Sequence, residues 1–167
     1  MVDSERAQRE AFVQPEEGTA GVSASAQLVT VLRSTLPRLL SGQPVALAYL
    51  YGSSATGQTH PFSDTDLALV IDQGLSSLER LKLILRLQAD LADASDIRNA
   101  DVRIINDAPL IFRGKVVCDG ILVFARDESE RVAFETTTRM RYFDYLPVHR
   151  QMQDAFFADL RERGLNG

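Results

Sequence analysis

Tyr51-Gly52-Ser53-Ser54-Ala55-Thr56-Gly57-Gln58-Thr59-His60-Pro61-Phe62-Ser63-Asp64-Thr65-Asp66-Leu67-Ala68-Leu69-Val70 leaves one apolar strand, crosses a small hydroxyl-rich turn and returns as a second strand. The returning strand opens with carboxylates at i and i+2. Residues two apart in a strand point to one face, so Asp64 and Asp66 converge on a common point where a cation would sit. Gly52 and Ser53 open a turn suited to holding phosphate oxygens through backbone N–H groups, with Gly52 allowing close approach. For Ser53 a helix N-cap is the competing reading, and the two are compatible. A carboxylate pair facing a phosphate cradle is the minimum equipment for metal-assisted chemistry on a nucleotide. The alternative for Asp64 and Asp66 is a solvated strand edge. Against it, Leu67 to Ile71 is strongly apolar, and carboxylates opening a buried strand are costly unless compensated.

Outward from this segment, residues 1 to about 20 lack periodicity and read as a mobile tail. Leu28, Val31, Leu32, Leu36, Leu39 and Leu40 fall at helical spacing from Ser23 or Ser25, with Pro37 as a kink. Val45 to Tyr51 is a short apolar run expected to form a central strand, and Thr65 to Ile71 forms the next. Ser76 or Ser77 caps a helix that buries Leu78, Leu81, Ile84, Leu85, Leu87 and Leu91. Asp101 to Ile105 is a third strand. A short helix runs from Pro109 to about Cys118, and Ile121 to Ala125 is a fourth strand. Residues 129 to 163 read as helical, broken near Pro147. The expected fold is α/β (α+β): a small mixed sheet flanked by helices. Residues 1–22 would be a flexible tail, 23–127 the core, and 128–167 a helical extension of the same domain.

The chain has 167 residues, enough for one domain with a real core. Its 45% hydrophobic and 25% charged content is that of a globular protein, and no apolar run approaches the roughly 20 residues that span a bilayer. A single cysteine, Cys118, excludes an internal disulfide framework and a multi-cysteine zinc site. With no apolar signal core in residues 1 to 17, these features point to the cytoplasm. The net charge of −5 argues against binding a polynucleotide backbone, yet not against nucleotides, whose charge a divalent ion neutralises locally. Arg126, Arg131, Arg139, Arg141, Arg150, Arg161 and Arg163 read as a solvated helical face or as a patch for an acidic partner.

Gly52-Ser53, ten intervening residues, and then Asp64 and Asp66 two apart on a strand resemble the signature of DNA polymerase β-like nucleotidyltransferases. The short spacing is most similar to the minimal nucleotidyltransferases, many of which are antitoxin partners of HEPN-domain RNase toxins. The likeness spans about residues 25 to 127. It implies transfer of a nucleoside monophosphate, in the first place AMP from ATP, onto a hydroxyl. It also implies Mg²⁺ in the form of two ions, and as acceptor a tyrosine of a cognate HEPN toxin. Asp64 and Asp66 would be the catalytic metal ligands, and Gly52, Ser53 and Ser63 the nucleotide-binding residues. Asp101 would be the third ligand, because the run from Asp101 to Pro109 looks like the family's third strand; Asp96 and Asp107 compete for that assignment. His60, Arg113 and Lys115 are open as substrate contacts. Two other readings remain: an aminoglycoside-type small-molecule nucleotidyltransferase, with dimerisation supplying the acceptor site, and a non-catalytic binding antitoxin.

Overall fold

The structure is a computed structural model, and it describes residues 17–56, 64–95 and 97–163. Helix α1 (Glu17–Leu39) leads into β1 (Val45–Tyr51), a one-turn helix α2 (Ser53–Thr56) and β2 (Thr65–Ile71). Then come α3 (Ser77–Ser95), β3 (Ala100–Ile104), α4 (Leu110–Asp119), β4 (Ile121–Ala125) and α5 (Glu128–Arg163). The four strands form one mixed sheet in the order β3-β2-β1-β4. Strand β1 runs antiparallel to β2 and β4, whereas β2 and β3 are parallel. A parallel pair needs a crossover, and α3 supplies it.

Both faces of the central strands are covered, which is why β1 and β2 read as unbroken apolar runs rather than alternating ones. On one face Leu67, Leu69 and Ile71 pack with Leu32, Leu36, Leu83, Leu87 and Leu91 of α1 and α3. On the other, Ala68 and Val70 pack with Tyr49, Val116 and Val117, beneath α4 and α5. The second face is pinned by a buried ionic knot. Tyr49 Oη donates to Glu135 Oε1 at 3.0 Å, and Arg131 Nη1 reaches Glu135 Oε2 at 2.9 Å. Burial first, then the Glu135 charge, pushes the Tyr49 hydroxyl far above its usual range.

Several elements depart from the sequence expectation. Helix α1 begins at Glu17, inside the segment read as a tail, and it carries Pro37 in its last turn. Ser76 is the cap of α3: its Oγ accepts from the Glu79 N–H at 3.3 Å, and Glu79 Oε2 accepts from the Ser76 N–H at 2.8 Å. The buried side of α3 is Leu83, Leu87 and Leu91, while Leu78, Leu81 and Leu85 face outward. A helix with leucines on two sides has no single apolar stripe for periodicity to select. Helix α5 does not break at Pro147. The proline occupies an exposed position, so the carbonyl it leaves unpaired one turn earlier meets water and the helix runs on. Among the described residues no helix is long and apolar enough to cross a membrane.

Candidate functional site

Cross-strand register builds the site. Tyr51 of β1 is paired with Asp66 of β2, and Asp66 with Asp101 of β3. Paired positions on neighbouring strands project to the same side, so these three form a row across the sheet on the face covered by α4. Asp64 lies two residues before Asp66 and joins the end of that row. The sheet therefore brings Asp66 beside Asp101, and Asp64, just before β2, is near enough for its charge to act on Asp66. The alternatives separate from them: Asp107 lies beyond the far end of β3, and Asp96 falls outside the described residues, as do Ser63 and His60.

Asp66 is half-buried, and its carboxyl is held above the usual carboxylate range. Desolvation is the largest cause and the Asp101 charge the next; Arg103 partly offsets them, and Asp64 adds a further push. Asp101 is engaged. Its Oδ2 accepts from Arg103 Nε at 2.9 Å and from Arg103 Nη2 at 2.7 Å. Arg103 is two residues along β3 and thus on the same face, a neighbour that the sequence pattern contained but that went unassigned.

Gly52 has φ +72°, in the left-handed region, and a Cβ there would collide with Asp66 Oδ2. The glycine thus lets the turn pass directly over the carboxylate. Gly52 occupies the position before α2, and its carbonyl accepts from the Ala55 N–H at 3.2 Å. Ser53 is accordingly the first residue of α2 rather than its cap. The hydroxyl that locks this turn is Ser54, fully buried: its Oγ donates to the Asp64 carbonyl at 3.0 Å, and its own carbonyl accepts from Ser25 Oγ at 2.6 Å. Sequence reasoning missed Ser54, because nothing in the run of hydroxyls distinguishes the one that turns inward.

Beside the carboxylate row lies a cavity of about 360 Å³ between the end of β1 and α4, lined by Tyr51, Gly52, Ser53, Phe112, Lys115 and Asp119 among others. Tyr51 packs edge-on against Phe112 with ring centroids 5.5 Å apart, and among the described residues its buried hydroxyl has no hydrogen-bond partner. Lys115 is exposed on the cavity's rim. Arg113, two residues earlier on α4, points away to the opposite end of the sheet, where Nη1 donates to the Asn106 carbonyl at 2.7 Å. Cys118 is a half-buried free thiol. Of the late arginines, Arg126 pairs with Asp72 and Glu130, while Arg131 and Arg139 pair with Glu135.

Among the described residues no three histidine, cysteine or acidic side chains form a ready metal cage. Mg²⁺ does not require one: it is commonly held by one or two carboxylates, with substrate phosphates and water completing the octahedron. A half-buried carboxylate crowded by two others fits a divalent cation, which would relieve the repulsion recorded at Asp66.

A mixed four-stranded sheet that presents a strand-borne carboxylate pair to a Gly-Ser turn places the chain in the nucleotidyltransferase class. The family model for polymerase β nucleotidyltransferases matches residues 35–129, and the chain belongs to that family. No curated protein matches it. Among solved structures, it is similar to a chain of a toxin–antitoxin complex with AMP-PNP, at 24% identity and a TM-score of 0.58, over 77% of this chain and 98% of that one. It is also similar to a chain of the complex of tri-AMPylated Shewanella oneidensis HEPN toxin with MNT antitoxin. There the identity is 21% and the TM-score 0.54, over 80% of this chain and 98% of that one. A chain of an MntA–HepT toxin–antitoxin structure gives 22% identity and a TM-score of 0.54, over 79% and 98%. At these identities the likeness establishes the fold.

Proposed function

We propose that this chain is a divalent-metal-dependent nucleotidyltransferase that moves AMP from ATP onto a hydroxyl, with a tyrosine of a HEPN-type protein partner as acceptor. Residues 23–127 form its catalytic core and 128–167 a helical extension. The reading is carried by the alignment of Tyr51, Asp66 and Asp101 in one cross-sheet row, with Asp64 at its end and the Gly52 turn directly above. AMP-PNP in one related complex and a tri-AMPylated toxin in another support the choice of nucleotide and acceptor.

In this reading Asp64 and Asp66 hold the metal, with Asp101 completing the site once its oxygen is released from Arg103. The ion, Mg²⁺ by resemblance, would supply charge stabilisation at the reacting phosphate and acidify the attacking hydroxyl. The Gly52-Ser53 turn sits where phosphates approach the backbone, with Ser63 assigned to the same nucleotide by its place before Asp64. Lys115 supplies positive charge at the cavity rim. Tyr51 and Phe112 give the cavity an aromatic wall, and the unpartnered Tyr51 hydroxyl is available to a substrate oxygen. The acceptor oxygen attacks the α-phosphorus, the bond from that phosphorus to the bridging oxygen breaks, and pyrophosphate departs. The acceptor proton leaves to a carboxylate or to water.

The test combines ATP labelled at the α-phosphate, Mg²⁺ and a purified HEPN-type partner. Label is expected on the partner and is expected to vanish with Asp64→Ala or Asp66→Ala. Transfer that persists in either variant would overturn the metal assignment. The non-catalytic antitoxin reading draws on a single observation, the engagement of Asp101 by Arg103. Tight partner binding without transfer, indifferent to both substitutions, would favour it.

A further inference from the structure

A second cavity, of about 520 Å³, opens at the other end of the sheet, where the parallel strands β2 and β3 finish. It is separate from the carboxylate row: Asp66 and Ile71 are five residues apart along β2, roughly 17 Å. Ligands of open α/β sheets collect beyond the carboxyl ends of parallel strands, and this cavity occupies that place.

Its lining includes Arg80 of α3, Arg113 of α4, Asn106, Asp107, Gly74 and Phe134. The side-chain amide of Asn106 is committed to β2: Oδ1 accepts from the Ile71 N–H at 2.9 Å and Nδ2 donates to the Ile71 carbonyl at 2.7 Å. Asn106 is therefore a fixed floor rather than a ligand group. Arg113 is different. Its guanidinium makes one hydrogen bond, from Nη1 to the Asn106 carbonyl, and has no carboxylate partner among the described residues. Its Nε–H is buried with no acceptor among the described residues. A guanidinium cannot shed its charge, so a half-buried one without an anion is a group whose partner is missing. Arg80 is anchored through Nε to the Leu75 carbonyl at 3.1 Å and contacts Asp107 Oδ2 through Nη1 at 2.5 Å. The Asp107 side chain is 76% exposed, so it swings into water at little cost and frees that fork.

The geometry points to an anion-binding site here, with Arg80 and Arg113 as its ligands and a small organic phosphate as its occupant. Two guanidinium forks arriving from different helices suit a tetrahedral group with several oxygens better than a planar carboxylate. The cavity is larger than a bare phosphate needs, and Phe134 offers the ester group an apolar wall. The site is independent of nucleotidyl transfer, since none of its residues belongs to the carboxylate row or to the first cavity.

The test is NMR titration of the full ¹⁵N-labelled chain, in EDTA so that no metal bridges phosphate to the carboxylates. Phenyl phosphate and inorganic phosphate are the two probes. Phenyl phosphate is expected to shift the Arg113 Nε–H resonance downfield, together with the amides of Gly74 and Asn106, and to saturate. It should bind more tightly than inorganic phosphate. Arg80→Gln and Arg113→Gln should each weaken it at least about tenfold, as expected when one charge-assisted pair is lost. Shifts confined to Gly52 and Ser53, or no saturation, would overturn the proposal. So would unchanged affinity in either variant. Equal affinity for the two probes would overturn the assignment to an organic phosphate. The wild-type Arg113 signal keeps the test decisive if one variant folds poorly.

Discussion

Gly42 and Gly52 form a matched pair that separates backbone strain from damage to the carboxylate row. Both sit in the left-handed region, at φ +71° and +72°, yet a Cβ at Gly42 meets nothing within 4 Å while one at Gly52 collides with Asp66 Oδ2 and lies 3.2 Å from its Cγ. An L-residue in that region loses about 1–2 kcal/mol. The lower entropy of the unfolded alanine chain returns about 0.4–1 kcal/mol. Gly42→Ala should therefore cost about 1 kcal/mol, or roughly 3 °C in Tm for a domain of this size. Gly52→Ala bears the same cost and also forces Asp66 out of its rotamer, about 0.5–1.5 kcal/mol more. Rotation toward water eases the repulsion from Asp101, so the two melting temperatures should differ by only a few degrees. Activity should divide them far more sharply. If Asp66 holds the metal as proposed, displacing it by about 1 Å should cost on the order of 100-fold in rate, whereas Gly42→Ala should transfer label at the wild-type rate. Calorimetry and α-labelled ATP transfer, run on both proteins, give the two readouts. Equal transfer rates in the two alanine variants would refute the argument that Gly52 exists to let the turn lie over Asp66.

Asp66→Asn should abolish transfer and at the same time raise the metal-free Tm at pH 7. The Asp66 carboxyl is held above its unfolded value, so its ionised form opposes folding at neutral pH. As pH falls through the raised native pKa the native state takes up a proton and this cost disappears; the Asn variant should lack that gain, which a pH series of melts in EDTA would reveal. Glu135→Ala should cost about 2–4 kcal/mol, because it strands the buried Tyr49 hydroxyl and removes the buried carboxylate that Arg131 and Arg139 share. Urea unfolding should show a lower midpoint at unchanged slope, with Glu135→Gln intermediate because its oxygen still accepts from Tyr49. An unshifted midpoint in Glu135→Ala would remove the ionic knot from any account of how α5 is held.

What could be read from the chain follows from which interactions are local. The strands β1 and β2 were legible because both are short apolar runs between turn residues, and burial on two faces leaves that mark on composition. The pairing of Asp64 with Asp66 was legible because a strand's two-residue period is a property of its own backbone. Periodicity assigns a face but not a register. The alignment of Asp101 with Asp66, and of Tyr51 with both, emerges only when β1, β2 and β3 are laid side by side. The face of α3 is legible only in part for a related reason: Leu87 and Leu91 are buried as expected, but Leu78, Leu81 and Leu85 are as apolar as the buried Leu83, and only the position of the sheet chooses between them. The continuation of α5 through Pro147 depended on which side of the helix meets water. Arg113 and Lys115 were indistinguishable as nearby cations in sequence, yet two helical residues turn them to opposite ends of the domain.

The carboxylate row also explains why the turn above it is so restricted. Like charges at paired strand positions oppose one another, and here Asp66 faces Asp101 across β2 and β3 with Asp64 close by. The fold answers with its own cation: Arg103 forks onto one oxygen of Asp101, which leaves the half-buried Asp66 as the carboxyl that bears the remaining strain. If the row holds a divalent ion, as proposed, that ion would consequently not fill a void. Asp101 would have to give up the Arg103 guanidinium to hold such an ion, whereas Asp66, whose charge the fold has already made expensive, would gain a counter-charge. The exchange would be more favourable for an ion whose shell is completed by substrate phosphate oxygens than for one that relies on water alone. On the proposed function, Arg103 would be the competitor that an incoming ion has to displace from Asp101.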